Sequence, residues 1–260
     1  MEVTRPQFVP DASLSREEMV AQQREIAESA AFSDDVAWVP SGDGQGEDVL
    51  DRGAKPQVPP ADRTVAGVDQ AFDGDEATSA VVVMHDGEVV ERVSATEETG
   101  IPYIPGLLSF REGGAILSAL DCLETDPDLL LVDGSGRIHY REAGLATHLG
   151  VALDVPAVGV AKSLLCGTPA EPLPESLPEG ARVPIHADEE VTAPNGTTIG
   201  CALQTRQFES GNRYINPLYV SPGHRVGIET AASLVEAHVE NYKLPEPIRR
   251  ADAHAAELTA

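Results

Sequence analysis

Three acids fall where an acid is either costly or consequential. Asp69 lies inside the apolar run "TVAGVDQAF", and Asp133 closes the run "DLLLVDG". Charged side chains are seldom buried in strands without a partner or a metal. Glu112 ends "PYIPGLLSFRE", a proline-stiffened segment that leads into "GGAILSALDCLE". Taken singly, each has a plain structural reading: a paired strand acid for Asp69 or Asp133, and a cap favoured by the helix dipole for Glu112. The combination says more. If the two strands are neighbours, Asp69 and Asp133 share one surface, and a helix start lying between them in sequence brings Glu112 to the same place. Three oxygen donors suit a hard cation, Mg²⁺ or Mn²⁺, whose open positions take phosphate oxygens and water. Lys162 ends the run "VGVAK" and is one of three lysines, with Lys55 and Lys243. It can hold a phosphate or a water, or be a surface charge. His224, in "VSPGHRVG", reads as part of a turn before a helix. It suits a second metal or proton transfer.

The elements that must position these residues follow from periodicity. "SREEMVAQQREIAESAAF" (residues 15–32) predicts a helix opened by a Ser15–Glu18 capping box. Residues 40–62 are rich in Gly, Pro and Asp and read as a surface loop. Residues 64–96 read as three antiparallel strands, with "HDGE" as a hairpin turn. Helices and strands then alternate. "DLLLVDG", "PAVGVAK", "TTIGCALQT" and "NPLYVSP" are strands, and "REAGLATHLGVAL" and "GIETAASLVEAHVENY" are helices. The expectation is an α/β fold, a mixed sheet with helices on both faces. It divides into an N-terminal helix and acidic loop packed on the core (1–63), a catalytic domain (64–250) and a short charged tail (251–260).

Lys and Arg number 18 against 43 Asp and Glu, a net charge of −25. An acidic, nearly lysine-free chain with an ordinary apolar fraction fits a protein adapted to molar salt. There the Debye length is about 3 Å and carboxylate repulsion is screened, so acidity alone does not exclude a nucleic-acid substrate. No apolar run is long enough to cross a membrane, and the N-terminus lacks a basic region followed by an apolar core. A cytoplasmic location is expected, and with no coiled coil or apolar stripe a monomer is expected too. Cys122, Cys166 and Cys201 read as small hydrophobes.

Seven stretches occur in order: "VAGVD", "PYIPGLLSFRE", "LLLVDGSGRIHYREAGLATHLG", "VPAVGVAKSLLCG", "IGCALQTR", "PLYVSPGHRVGIETAASLV" and "KLPEPIRRAD". Together they resemble the endonuclease V family, deoxyinosine-directed repair nucleases with an RNase H-like fold, over most of residues 64–252. The resemblance implies the catalytic carboxylates Asp69, Glu112 and Asp133 with Mg²⁺ or Mn²⁺, a phosphate-side Lys162, and an active-site His224. It also implies a strand-separating wedge of Pro102, Tyr103, Ile104 and Pro105. The pocket for the extruded base would comprise Gly106, Leu108, Gly134, Gly136 and His139. The implied activity is hydrolysis on the 3′ side of deoxyinosine in DNA, one nucleotide removed, leaving 3′-hydroxyl and 5′-phosphate. An inosine-specific ribonuclease and a non-cleaving inosine-binding protein are the alternatives. Gln70-Ala71-Phe72 and Tyr140 depart from the family pattern, as does the acidic insert.

Overall fold

The computed structural model describes residues 1–36, 38, 62–174, 176–207 and 216–259. The acidic segment 40–62 therefore lies, apart from Asp62, outside the described residues. A 3₁₀ turn, Pro6–Phe8, precedes helix α1, Arg16–Ser29. The predicted capping box is formed: Glu18 N donates to Ser15 Oγ (3.3 Å) and Ser15 N donates to Glu18 Oε2 (2.8 Å). Both groups are otherwise orphans of a helix start.

Strands β1 (Thr64–Asp73), β2 (Glu76–His85) and β3 (Glu88–Glu98) form the expected antiparallel meander. Asp86 and Gly87 turn the second hairpin with φ of 49° and 79°, the paired positive φ values of a type I′ turn. There follow α2 (Leu108–Asp121), β4 (Leu129–Asp133), α3 (Leu145–Leu153), β5 (Ala157–Ala161), β6 (Thr168–Pro169) and β7 (Arg182–His186). The chain closes with β8 (Thr198–Leu203), β9 (Leu218–His224), α4 (Ile228–Ala237) and α5 (Glu246–Leu258). The described strands make one mixed sheet in the order β3-β2-β1-β4-β5-β9-β8-β7-β6. β1, β4 and β5 run parallel, so their C-terminal ends share one edge.

Alternation along the strands divides the core. Ala66, Val68, Leu130 and Val132 pack under Ile116 and Leu120 of α2 and Leu145 and Leu149 of α3. Val65, Leu129, Leu131, Val158 and Val160 pack on the other face under Ala231 and Leu234 of α4 and Ile248 of α5. Helices thus cover both faces, as the sequence pattern predicts.

Four local expectations are corrected or refined. The charged stretch expected as a tail is helical through Leu258, as part of α5, which crosses β1 so closely that a Cβ at Gly67 would run into the Pro247 carbonyl. Glu112 caps nothing, because α2 begins at Leu108 and Glu112 sits one turn inside it. His224 is the last residue of β9 rather than part of a turn. β6 and β7 were not anticipated; β7 contains Pro184, a residue that argues against a strand in a sequence reading.

Candidate active site

The parallel strand ends gather the acids. Asp69 and Asp133 continue the alternation of Val65 and Leu129–Leu131, so both project on the α5 face at the shared C-terminal edge. Glu112 reaches the same edge from α2 on the opposite face. Its backbone is tied to β1 by Gln70, whose Nε2 donates to the Glu112 carbonyl (3.0 Å) and to Ser79 Oγ (2.5 Å). Asp69 and Glu112 are each only 8% exposed. Burial pushes the Asp69 carboxyl up to about 8, with the Asp133 charge adding to the rise. Burial likewise pushes Glu112 up to about 8, against the pull of Arg111 and with the charge of Asp133. One Asp69 oxygen, Oδ1, accepts from Gln70 N (2.7 Å). The other, Oδ2, is buried with no partner among the described residues. A buried carboxylate oxygen with no donor is costly in isolation.

A cation stands at the edge, and a fourth acid acts on it. Lys162 Nζ donates to Asp133 Oδ2 at 2.6 Å and remains half exposed. Burial alone would lower this ammonium. The Asp133 hydrogen bond and the charges of Asp133, Asp69 and Asp252 more than offset it and hold the group above its ordinary value. Asp252, on α5, was not singled out as a site residue. It belongs to α5, which crosses β1, and its charge raises the pKa of both Asp69 and Lys162. Among the described residues, no three acidic or imidazole side chains stand close enough to chelate one ion as they are. Asp133 is instead paired with Lys162. The donor set nevertheless fits a hard divalent ion: carboxylate oxygens, one of them unpartnered, and two acids driven toward their neutral forms chiefly by burial.

Beside the acids stands a rigid tip. Ile104-Pro105-Gly106-Leu107 is a type II turn: Leu107 N donates to Ile104 O (3.0 Å), Pro105 fixes one corner, and Gly106 takes the required positive φ of 78°. Tyr103 projects from it, 65% exposed, flanked by the exposed Pro102 and Pro105. Ile104 does not project; it packs with Met19 of α1 and with Leu107 and Phe110. The turn is held by more than its prolines. The Gly106 carbonyl accepts from Gln23 Nε2 (2.9 Å), His139 Nε2 (3.1 Å) and Arg141 Nη2 (2.8 Å).

A pocket of about 390 Å³, its open mouth included, lies behind Tyr103. Of the expected pocket residues, Gly106, Leu108 and His139 line it. Gly134 and Gly136 do not; Ser135 between them does, with Ser109, Ala143, Gly144, Leu145 and Leu165. Gly136 instead lies under β9, where a Cβ would meet the Pro222 carbonyl, and its amide donates to Ser221 Oγ (2.9 Å). His139 is 3% exposed, and burial holds its imidazole down at about 3. Its Nδ1 accepts from Arg141 N (3.1 Å), so Nε2 carries the proton given to Gly106 O. Both ring nitrogens are spent on the scaffold.

His224 is not brought to the acids. It pairs with Ala157 at the start of β5, whereas Asp133 pairs with Val160 near its end. The offset is about 10 Å along the strands. His224 Nδ1 accepts from Ala31 N (3.2 Å) and Nε2 donates to Asp154 Oδ1 (3.1 Å). Burial holds the imidazole below its ordinary value, partly offset by Asp154. It ties the N-terminal segment to the sheet.

A family profile described as Endonuclease V matches residues 50–253. The endonuclease V of Haloarcula marismortui is 61% identical over 98% of this chain and 97% of its own length. That of Halobacterium salinarum is 54% identical over the full length of both. Among solved structures, the endonuclease V of Streptomyces avermitilis matches with a TM-score of 0.73 and 33% identity over the whole of both chains. That of Ciona intestinalis, solved with a 24mer DNA containing an inosine followed by a ribo-adenosine, matches at 0.68 with 24% identity, covering 94% of this chain and 96% of that one.

Proposed function

The chain belongs to the endonuclease V family and is a nuclease acting on phosphodiester bonds, and from that premise we propose that it is a metal-dependent repair nuclease. In this reading it recognises deoxyinosine in DNA and cleaves on its 3′ side, one nucleotide removed. The observation that carries the metal dependence is the strand-end cluster: Asp69 and Glu112 buried, pushed up to about 8, with Asp69 Oδ2 lacking any partner among the described residues. Asp69, Asp133 and Glu112 would hold Mg²⁺ or Mn²⁺, with Asp252 at the rim. When bound there, the ion supplies positive charge to the phosphoryl oxygens and acidifies water.

The chain's own residues do the rest. Lys162 presents its half-exposed ammonium beside Asp133, where it can hold an oxygen of the scissile phosphate. Water adds to phosphorus and the 3′ oxygen leaves, giving a 3′-hydroxyl and a 5′-phosphate. Tyr103, stiffened from below, fills the gap in the stack when the base leaves it. The pocket behind it receives the base. A deaminated, mispaired base costs less to unstack, typically a few kcal/mol, and this favours the lesion over intact adenine. The Ciona protein was solved with a DNA containing an inosine. With a net charge of −25, affinity leans on stacking and on the ion rather than on counterion release.

A nicking gel tests the reading. Duplexes with deoxyinosine or adenine, and an inosine-containing RNA of the same sequence, are incubated with Mg²⁺ or with a chelator. Nicking of the deoxyinosine strand alone, abolished by chelator and by Asp69→Ala, is expected. Binding without nicking refutes the proposal, and faster cleavage of the RNA moves it to an inosine-specific ribonuclease.

A further inference from the structure

The pocket behind Tyr103 has a hydroxyl that the fold does not use. Ser109 lines it, is 2% exposed, and its Oγ is buried with no hydrogen-bond partner among the described residues. Such a group lowers stability, because its desolvation is uncompensated. Of the other polar side chains at the pocket, His139 is committed: both its nitrogens are bonded to the backbone of Gly106 and Arg141.

Position adds direction. Ser109 is the second residue of the 14-residue helix α2, whose N-cap, Leu107, provides no side-chain acceptor for the first-turn amides. Leu108 and Ser109 therefore bring the positive end of a helix to the pocket wall. A wall of that polarity favours an acceptor and disfavours a donor. Purines differ on this point at position 6. Hypoxanthine carries an oxo group there, adenine an amino group that only donates.

We propose that Ser109 Oγ donates a hydrogen bond to the 6-oxo group of the base in the pocket, and is a specificity-determining residue for 6-oxopurines. The proposal rests on the inosine reading given above. A hydroxyl can also accept, but the helix end beside it selects the donating role. Loss of the hydroxyl leaves the folded protein intact and removes one base contact.

The test is a two-by-two comparison in an Asp69→Asn background, so that strands stay whole. Anisotropy measures binding of labelled oligonucleotides carrying hypoxanthine or unsubstituted purine, which lacks the 6-oxo group, with adenine as a further arm. The preference for hypoxanthine over unsubstituted purine is expected to fall roughly three- to tenfold on Ser109→Ala. The melting temperature stays the same or rises. An unchanged ratio overturns the assignment, as does a melting temperature lowered by several degrees, which would reveal a structural partner for the hydroxyl. If the protein with Ser109 does not prefer hypoxanthine over adenine at all, the inosine reading falls and this inference with it. A preference for hypoxanthine over adenine that Ser109→Ala leaves intact sinks only the inference.

Discussion

Among the described residues, two clusters of ionisable groups stand at opposite ends of the parallel strands, one largely buried and one half-exposed, and they are opposites. At the C-terminal edge stand Asp69, Glu112 and Asp133, not closed on one another, with a buried Asp69 oxygen unpartnered among the described residues. At the other end, His224 has both nitrogens bonded, and Asp154 collects His224, Arg5 (3.0 Å) and Arg225 (3.8 Å). The second cluster is complete within the chain. The first leaves a buried carboxylate oxygen without a partner among the described residues. Unmet polar demand, rather than the mere presence of a histidine or a carboxylate, separates a reacting site from a structural tie.

After the strand-end acids themselves, the largest effect on this contrast is expected at its least obvious member. Asp252→Ala should lower nicking about 10- to 100-fold, the usual cost of losing a group that supports metal ligands. Steady-state nicking rates at saturating Mg²⁺ check this. A wild-type rate would confine the site to the three strand-end and α2 acids. Tyr103→Ala tests the tip. It should weaken discrimination of deoxyinosine from adenine about tenfold, as loss of one stacking aromatic does, while Mn²⁺ binding is unchanged.

How much of this was legible in the sequence divides along the same line. Asp69 and Asp133 stood out because an acid inside an apolar strand needs a reason, and that signal is local. The three-strand meander was legible from alternation and from the Asp86-Gly87 turn. Asp252 was not legible. Its place depends on α5 crossing β1 over Gly67, a contact between residues about 180 apart in the chain. His224 was misread because "SPGH" looks like a turn, whereas backbone pairing with β5 keeps it in a strand. Ile104 was expected beside Tyr103 in the wedge. Only packing against α1 turns it inward.

Stability against pH should separate the clusters further. In chelator, Asp69 and Glu112 hold their protons more tightly folded than unfolded, rising from 3.8 and 4.5 to about 8. Their contribution to stability is therefore lost as pH rises from about 4 to about 8. Asp69→Asn should flatten that limb in thermal melts, and Mg²⁺ should raise the melting temperature more at pH 8 than at pH 5. His224 acts with the opposite sign. Its depressed value means stability is lost as pH falls below about 6.5. His224→Ala should cost about 1–3 kcal/mol in denaturant unfolding, since it leaves the Ala31 amide unpaired. Nicking per folded molecule should not change, and a proportional loss of nicking would return His224 to the active site.

The most direct test of the contrast is a Mn²⁺ titration followed by electron paramagnetic resonance on the wild type, Asp133→Ala and His224→Ala. The strand-end account predicts that Asp133→Ala abolishes tight Mn²⁺ binding and that His224→Ala leaves it at the wild-type affinity. Tight binding retained by Asp133→Ala, or lost in folded His224→Ala, would contradict it.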